Sequence, residues 1–395
     1  MSDALPKNEG GAAAPLSGLT VIELGHSVAA PFAAQILGDL GARVIKVENP
    51  AFGDDARRWG PPFWEGEAAT FQALNRNKLS VTLDIKDAGD LEKLRALMAG
   101  ADIIVQNMRP GLVKRYGIDA EAIHAINPAV IYCNLGAFGE IGPLAAATGY
   151  DPLVQAFTGI MSVTGEAGRP PVRVGPSIVD QGSGMWCVIG ILSALLRRRE
   201  TGEGCVVDTS LFETGMSWMT VPVANALAAG REPGKSGSET PMLAPYRAFM
   251  SKDRHVVIAA GNDNLFVRLS QVLGKPDWPQ DPRFTTNADR VKNRVALNEA
   301  IEAITVTQEA FYWVAALDKV GVPCALVQSV SEVLAHPQTE ALGIMQRTPD
   351  ERLNLVGLPL RFNGSRPRIA SRAPCLGSTD IDALLAPRAQ ASAAE

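Results

Sequence analysis

The chain has 395 residues, of which 46% are hydrophobic and 20% charged, and this is enough apolar material for two or three domains. Its net charge of −5 argues against a general nucleic-acid binder, which needs a positive field to meet phosphates. The sequence shows no secretory signal and no apolar run of about 18 residues, the length that spans a bilayer. Five scattered cysteines without a CxxC pair predict neither a metal site nor disulfides, so we expect a cytoplasmic protein.

Strands and helices alternate through the first half of the chain. The apolar runs that predict strands are residues 19–24, 43–48, 79–85, 102–107, 129–135 and 205–211. The stretches with helical spacing are residues 29–40, 90–100, 182–199 and 212–229. Because the strands are apolar throughout, we expect a Rossmann-like parallel sheet with helices on both faces, an α/β fold.

A loop rich in Gly, Pro and Ser at residues 230–241 marks a predicted domain boundary. Beyond it we expect a strand at 255–260, a helix at 264–274, two helices between 288 and 320, and a strand at 324–329 that returns the chain to the first domain. The predicted organisation is therefore a large domain with a smaller α+β domain inserted into it. Its segments are a disordered tail at 1–15, the large domain at 16–225, the small domain at 226–325, a return segment at 326–385 and a tail at 386–395.

The turn after the first strand reads GHSVAAP and lacks the GxGxxG fingerprint, so a nicotinamide enzyme is disfavoured. A ligand still binds at the carboxyl ends of strands in open α/β sheets, and His26 lies at such an end. His26 is therefore a candidate ligand contact, with a hydrogen-bonded turn residue as the alternative.

A basic turn follows the fourth predicted strand. The segment NMRPGLVKRYG begins at Asn107 and places Arg109, Lys114 and Arg115 close together. With Asn77 and Lys78 from an earlier turn, it has the donors to hold a phosphate-bearing ligand. A solvated basic turn is the alternative.

Two acids stand beside small residues. Asp151 follows Tyr150 and precedes Pro152, a pattern typical of a helix N-cap that leaves a catalytic role open. Asp180 follows the apolar run SIV and precedes QGSG, which predicts a strand–helix junction open to a ligand. Its two interpretations are a helix cap and a nucleophilic carboxylate.

In order and spacing, these segments resemble the family III CoA-transferases, the group that contains formyl-CoA transferase, carnitine CoA-transferases and the α-methylacyl-CoA racemases. The resemblance runs from Leu16 to about Gly377. The motifs that carry it are PLSGLTVIELGHSVAAPFAAQILGDLGARVIKVENP, GDDARRWGPPF, NRNKLSVTLDIK, NMRPG, GYD, VD with GMW downstream, APYRAF and GVPCALVQS.

The resemblance implies an intertwined homodimer, two linked rings whose large domain uses both chain ends. It implies a transferase in which Asp180 is the catalytic carboxylate, with Tyr150 and Asp151 beside it. Coenzyme A enters as a substrate, with no tightly bound cofactor, and its implied contacts are Asn107, Arg115, Asn77 and Lys78. The partners implied are acyl-CoA, a carboxylic acid and a second copy of the chain, with no nucleic acid and no membrane.

Two departures from the family pattern bear on activity. The family pattern implies Gly-His-Asp in the racemases, which use the histidine as a base, whereas this chain has Gly-Tyr-Asp. Tyr150, with a usual pKa of about 10, is a poor base at neutral pH. A transferase is therefore favoured over the racemase alternative. Formyl-CoA transferase carries a glycine run in a mobile loop, whereas the matching stretch here, residues 234–239, has two glycines, so we do not expect the same substrate. The resemblance makes Gly237 of this loop a candidate catalytic residue, whose surrounding backbone N–H groups would stabilise an oxyanion.

The amino-acid sequences of these motifs resemble those of the family branch that uses succinyl-CoA and dicarboxylic acids. Arg173 and Arg247 are candidates for binding the second carboxylate, because a guanidinium accepts a carboxylate through two parallel hydrogen bonds. Structural ion pairs are the alternative for both arginines. A CoA-binding protein without turnover is the remaining alternative to an enzyme.

Overall fold

The computed structural model describes residues 14–386, so nearly all of the predicted tails lies outside the described residues. The strands are β1 (Thr20–Leu24), β2 (Arg43–Glu48), β3 (Phe63–Trp64), β4 (Glu67–Ala68), β5 (Lys78–Thr82), β6 (Ile103–Gln106), β7 (Ile131–Gly136), β8 (Cys205–Ser210), β9 (Tyr246–Met250), β10 (His255–Ala259), β11 (Cys324–Leu326), β12 (Met345–Arg347) and β13 (Asn354–Val356).

The α-helices are α1 (Ala29–Asp39), α2 (Ala69–Leu74), α3 (Ala88–Ala99), α4 (Leu112–Arg115), α5 (Ala120–His124), α6 (Asp151–Phe157), α7 (Ile160–Val163), α8 (Ile178–Thr201), α9 (Leu211–Trp218), α10 (Thr220–Ala229), α11 (Asp263–Val272), α12 (Asn287–Lys292), α13 (Arg294–Thr305), α14 (Ala310–Lys319), α15 (Val330–Leu334), α16 (Pro337–Leu342) and α17 (Ile381–Leu385). Short 3₁₀ helices cover Asp55–Arg58 and Trp278–Gln280.

Six parallel strands form the main sheet in the order β5-β2-β1-β6-β7-β8, which confirms the predicted α/β fold. The chain runs outward from β1 to β2 and β5, then returns to start the other half at β6. The order therefore reverses between β1 and β6. Open α/β sheets bind ligands in the crevice outside the carboxyl ends of the strands at such a switch point. This topology points to the segments after Leu24 and Gln106.

Both faces of the sheet are covered by helices. One face packs Ile22, Ile45 and Ile104 against apolar side chains of α3, α5 and α17. The side chains that alternate with these, such as Val21 and Val44, are equally buried and point to the opposite face, where α1 and α8 lie. Burial on two faces explains why the strands are apolar throughout.

The chain divides into two compact units. The first comprises Met1–Ile160, Arg173–Ala224 and Glu340–Glu395, and the second comprises Met161–Val172 and Asn225–Thr339. In the second unit, β9, β10 and β11 form an antiparallel sheet, and Phe249, Ile258, Phe266 and Trp313 are in its core.

Three sequence expectations are corrected by this arrangement. Residues 324–329 do not return the chain to the large unit, because β11 pairs with β10 and the second unit continues to Thr339. Asp180 does not lie at a strand–helix junction, because α8 already begins at Ile178 and Ser177 is its N-cap. Tyr150, rather than Asp151, is the N-cap of α6.

Helix α8 is 24 residues long and has the length and apolar composition of a membrane-spanning helix. Its buried residues, among them Cys187, Val188 and Ile191, lie along the side that packs on α1, β7 and β8. Its last turn carries Arg198 and Arg199, and Gly202 follows in the left-handed conformation that ends helices. Helix packing within the first unit therefore accounts for one apolar side of α8.

Candidate functional site

A cleft of about 460 Å³ opens at the predicted switch point, within the first unit. Its wall combines the turn after β1, the turn after β6, the segment after β7 and the first turn of α8. Its lining residues are His26, Ser27, Val28, Ala29, Phe52, Gly53, Asp55, Trp59, Asn107, Met108, Arg109, Pro110, Leu112, Leu135, Gly136, Ala137, Ala147, Thr148, Gly149, Tyr150, Asp180 and Leu211. Five of the candidate residues therefore line one cavity, namely His26, Asn107, Arg109, Tyr150 and Asp180.

Asn107 and His26 hold the two central turns together. The Asn107 Oδ1 atom accepts a hydrogen bond from the His26 backbone N–H at 2.9 Å, and its Nδ2 atom donates to the His26 carbonyl oxygen at 3.0 Å. Burial, with the nearby charge of Lys46, lowers the pKa of the His26 imidazole. A neutral imidazole thus faces the cleft, and the Asn107 amide links the ends of β1 and β6.

Asp180 is half-buried on the first turn of α8. Burial first, and then the charge of Asp151, raises the pKa of the Asp180 carboxyl to about 7. A carboxyl group that lines a cleft and has a raised pKa is a candidate functional group. The burial that raises its pKa also makes its ionised form a stronger nucleophile.

Asp151 lies behind Asp180 and is buried. Its Oδ2 atom accepts from the backbone N–H groups of Val179 at 2.8 Å and Asp180 at 3.2 Å. Its Oδ1 atom accepts from Gln155 Nε2 at 2.6 Å, and Gln155 Oε1 in turn accepts from the Val174 N–H. Asp151 therefore anchors the start of α8, whereas its neighbour Tyr150 is exposed and lines the cleft.

The residues expected to contact coenzyme A divide into two groups. Arg115 is exposed at the end of α4 and stacks over Tyr116. Asn77 and Lys78 are buried. Lys78 Nζ donates to Pro31 O and Asn75 Oδ1 and forms an ion pair with Glu23 Oε2, each at 2.8 Å.

Asn77 is also satisfied internally, because it donates to Asp39 and accepts from the N–H groups of Ala370 and Ser371. The structure does not bring the Asn77 and Lys78 side chains into the cleft. A contact with coenzyme A would require them to leave these partners.

Three further predicted residues have local partners. Arg173, in the first unit, is exposed and donates to the carbonyls of Val174 and Gly175. In the second unit, Arg247 Nη1 donates to Glu239 Oε1 at 3.0 Å. Gly237 has a φ of 59°, a left-handed conformation that favours glycine, and a Cβ there would clash with the Glu166 carboxylate.

A buried ionic cluster beneath the cleft was missed by sequence reasoning. It comprises Glu23, Lys46, Asp54 and Lys78, all with fully buried side chains. The signal that was available is a charged residue flanked by apolar residues in the interior of a strand, Glu23 in TVIEL and Lys46 in RVIKVE. Charged residues are almost never fully buried unless they are paired.

The cleft presents the Asp180 carboxyl group, whose pKa is raised, beside several polar groups. Among residues 14–386 there is no group of three or more His, Cys, Asp or Glu side chains placed to hold a metal ion. The ionisable groups among its lining residues are the carboxyl groups of Asp55 and Asp180, the His26 imidazole, the Tyr150 phenol and the Arg109 guanidinium. An activated ester such as a thioester, which has a good leaving group, suits a carboxylate nucleophile.

The family model described as CoA-transferase family III matches residues 16–380. The chain belongs to CoA-transferase family III. It is 38% identical over 351 residues to the acetyl-CoA:oxalate CoA-transferase of Acetobacter aceti, which covers 89% of this chain and 90% of the relative. It is 37% identical over 336 residues to the succinate–glutarate CoA-transferase of Agrobacterium fabrum, with 84% of each protein covered.

A solved structure supports the same assignment. A CAIB/BAIF family protein from Brucella suis is 40% identical and superposes with a TM-score of 0.83, covering 92% of this chain and 96% of that one. The predicted family and the predicted enzyme class are thereby confirmed, and the chain is a CoA-transferase.

Proposed function

We propose that this transferase moves CoA from a donor such as succinyl-CoA to a short dicarboxylic acid, and that Asp180 carries the reaction as a covalent intermediate. The observation that carries the proposal is the Asp180 carboxyl group, half-buried in the cleft at the switch point with its pKa raised to about 7. The dicarboxylate is supported by the names of the relatives, which include succinate–glutarate and oxalate CoA-transferases.

The first half-reaction transfers CoA to the enzyme. An Asp180 oxygen attacks the thioester carbonyl carbon, the C–S bond breaks, and CoA leaves as a thiolate from a mixed anhydride. The thiolate then attacks the Asp180 carbonyl carbon of that anhydride. The donor acid leaves as a carboxylate, and Asp180 becomes an aspartyl-CoA thioester.

The second half-reaction reverses these steps with the acceptor. The acceptor carboxylate attacks the aspartyl thioester and expels the CoA thiolate, which then attacks the acceptor's acyl carbon. A new acyl-CoA leaves and the Asp180 carboxylate is restored. Each tetrahedral oxyanion needs fixed donors. The N–H groups of Val179 and Asp180 already serve Asp151, so we assign the oxyanion to other backbone amides of the cleft wall.

Substrate contacts follow from the positions of the charged side chains. Arg115, exposed beyond the turn after β6, is the proposed phosphate contact of coenzyme A, and His26, Asn107 and Tyr150 form the wall near Asp180. Arg173 and Arg247 remain the proposed contacts of the second carboxylate. A substrate would have to compete with Glu239 for Arg247.

We also propose that the active form is an intertwined homodimer in the cytoplasm. The face of α8 that points away from its own unit carries Trp186, Ile189 and Leu196, which are 44%, 49% and 64% exposed. Their spacing places them on one side of a helix, and contiguous exposed apolar surface is characteristic of an interface. A second copy of the chain is the partner that would cover this face.

The function is tested with a matrix of donors and acceptors. Succinyl-CoA and butyryl-CoA are each offered with glutarate and with butyrate, and kcat/KM is measured for all four pairs. We expect the dicarboxylate pair to be fastest, because only a dicarboxylate has a second carboxylate that can form charge-assisted hydrogen bonds with a guanidinium. Asp180→Ala should lower kcat for that pair by more than about 10³-fold while CoA still binds. Asp119→Ala, at a helix N-cap that lacks a side-chain hydrogen bond, is the matched control.

Several outcomes would contradict the proposal. Equal kcat/KM across the four pairs would exclude recognition of a second carboxylate, and a preference for butyrate would point to a monocarboxylate acid. Near-normal turnover in Asp180→Ala would exclude the covalent mechanism. Exchange of the α-proton of a 2-methylacyl-CoA with deuterated water, without an acceptor acid, would favour the racemase alternative, which needs a better base than Tyr150.

A further inference from the structure

The side chain of Lys46 is fully buried in the centre of β2, beneath the cleft. Its ammonium group lies 2.8 Å from Glu23 Oε1, 2.7 Å from the Gly25 carbonyl oxygen and 2.9 Å from Asp54 Oδ2. Burial disfavours its charge, but the three nearby carboxylates, Glu23, Asp54 and Glu48, outweigh burial and raise the pKa of Lys46. The ammonium group therefore donates to Glu23 Oε1 and to the backbone carbonyl at the start of the β1 turn, and it forms an ion pair with Asp54 Oδ2.

Asp54 continues this connection to the turn itself. Its Oδ1 atom accepts from the Ser27 backbone N–H at 3.0 Å and from the Ala56 N–H at 2.9 Å, which caps the 3₁₀ helix that follows. Ser27 has a φ of 70°, a left-handed conformation that costs free energy for a residue with a Cβ. The turn thus keeps an unfavourable conformation while Asp54 holds its N–H.

The two segments that Lys46 joins form one wall of the cleft. Residues 26–29 of one segment and Gly53, Asp55 and Trp59 of the other line the cleft. The same turn leads into α1, which packs closely on the helix that carries Asp180. A Cβ at Gly184 of α8 would lie only 2.8 Å from the Ala29 carbonyl oxygen. Lys46 itself does not reach the cleft, since its side chain is fully buried.

We propose that Lys46 is a positioning residue of the transferase: by linking Gly25 to Asp54, its buried ammonium sets the shape of the cleft wall that faces Asp180. The inference rests on the proposed function, in which this cleft is the reaction site. The ammonium group contacts the Gly25 carbonyl oxygen of the turn and the Asp54 carboxylate. The turn and the Gly53–Trp59 segment would in turn contact the bound acyl-CoA.

The charges of the cluster allow stability and positioning to be separated. Glu23 and Asp54 balance Lys46 and Lys78, and Lys78 Nζ lies 2.8 Å from Glu23 Oε2. Lys46→Met alone leaves a buried carboxylate without a cation, so it should lower Tm whatever Lys46 does in catalysis. The double variant K46M/D54N restores neutrality and keeps the Glu23–Lys78 pair. An amide at position 54 still accepts from Ser27, but the link to Gly25 is gone.

The experiment measures Tm and kcat/KM for acyl-CoA, per folded enzyme, in the wild type, K46M, D54N and K46M/D54N. We expect K46M/D54N to recover much of the Tm lost in K46M, with kcat/KM still about 10–100-fold below wild type, because small misplacements of a wall are costly in rate. D54N removes the ion pair between Lys46 and residue 54 but keeps the contacts of Lys46 with Glu23 and Gly25. Its loss of kcat/KM should therefore be smaller than that of K46M/D54N. The D54N variant gives an independent measurement if both K46M proteins fail to fold.

Wild-type kcat/KM in folded K46M/D54N, or in D54N when the K46M proteins do not fold, would overturn the proposal and leave Lys46 as a charge-balancing residue. Asp180→Ala distinguishes this failure from failure of the proposed function. If Asp180→Ala is inactive while K46M/D54N equals the wild type, the function stands and the positioning role fails. If Asp180→Ala is active, the reaction site itself is misassigned.

Discussion

At the scale of single residues, the protonation of Asp180 should control the first chemical step. Its pKa lies near 7 because burial, and then the charge of Asp151, disfavours the ionised form. Only the carboxylate is a nucleophile, so kcat/KM for acyl-CoA should rise with pH along a limb whose midpoint lies near 7. The raised pKa also affects the free energy of unfolding, because the folded protein binds the Asp180 proton more tightly than the unfolded chain does. This stabilisation is complete below the usual pKa of 3.8 and is lost as pH rises through 7.

Asp151→Asn tests the second cause of the shift. Removal of the neighbouring negative charge should move the acidic limb of the profile to lower pH, and burial, the larger cause, should keep it above the pH expected of an exposed aspartate. The dependence of kcat/KM on pH, measured between about pH 5 and 9, reports the pKa values of groups in the free enzyme. Glu140→Gln, a substitution of an exposed acid in the same unit, is the control and should leave the limb in place. An unmoved limb in Asp151→Asn would mean that another group titrates.

The residues of the site were only partly predictable from the sequence. Resemblance selected Asp180 and Asn107, and both line the cleft. Lys78 looked like a phosphate contact because its charge follows an asparagine-rich turn, but its acceptors come from Glu23, Pro31 and Asn75. The charged residues inside β1 and β2 signal a buried ion pair, but the partners of Lys46 could not be predicted, because ion pairs between segments far apart in sequence have no local pattern.

At the scale of elements, the packing of α1 on α8 places Asp180. A Cβ at Gly184 would lie 2.8 Å from the Ala29 carbonyl oxygen and 3.1 Å from Phe32 Cδ1. Gly184→Ala must therefore push the two helices apart. We expect it to destabilise the fold by about 1–3 kcal/mol, as overpacking does. Because Asp180 lies one turn before Gly184, kcat should also fall.

Gly175→Ala is the matched control for this substitution. Within the described part of the chain, no heavy atom lies within 4 Å of a Cβ built at Gly175, and Gly175 does not have a positive φ. Chemical denaturation and steady-state kinetics of both variants give the comparison. If Gly184→Ala matched Gly175→Ala in stability and in kcat, the close approach of the two helices would have no role.

The positions of the strands and helices were predicted better than their first and last residues. The strands of the main sheet were located from their apolar runs, which burial on both faces explains for the inner strands such as β1 and β6. The start of α8 was misplaced because the apolar residues Ile178 and Val179 fit a strand as well as a helix. The partner of β11 was misassigned for a related reason, since strand pairing depends on long-range contacts that three residues do not encode.

At the scale of the whole molecule, the exposed side of α8 is the part of the fold that a single chain leaves unexplained. Trp186, Ile189 and Leu196 lie on it, and Trp218 and Val221 add exposed apolar surface in the same unit. A side-by-side contact and an intertwined dimer would both cover this surface. The two differ in how subunits separate, since linked rings cannot part while both remain folded.

Native mass and subunit exchange together test the intertwined dimer. Light scattering should give twice the chain mass of 41.9 kDa. When tagged and untagged dimers are mixed, no mixed dimer should form under native conditions, and mixed dimers should appear after joint unfolding and refolding. Leu196→Glu should lower the yield of refolded dimer, because it buries an unpaired charge. Val295→Glu, at an exposed apolar position of α13 in the second unit, is the control and should refold as the wild type does. Exchange in the native state would contradict interlocking while keeping the dimer, and a mass of one chain would refute the dimer itself.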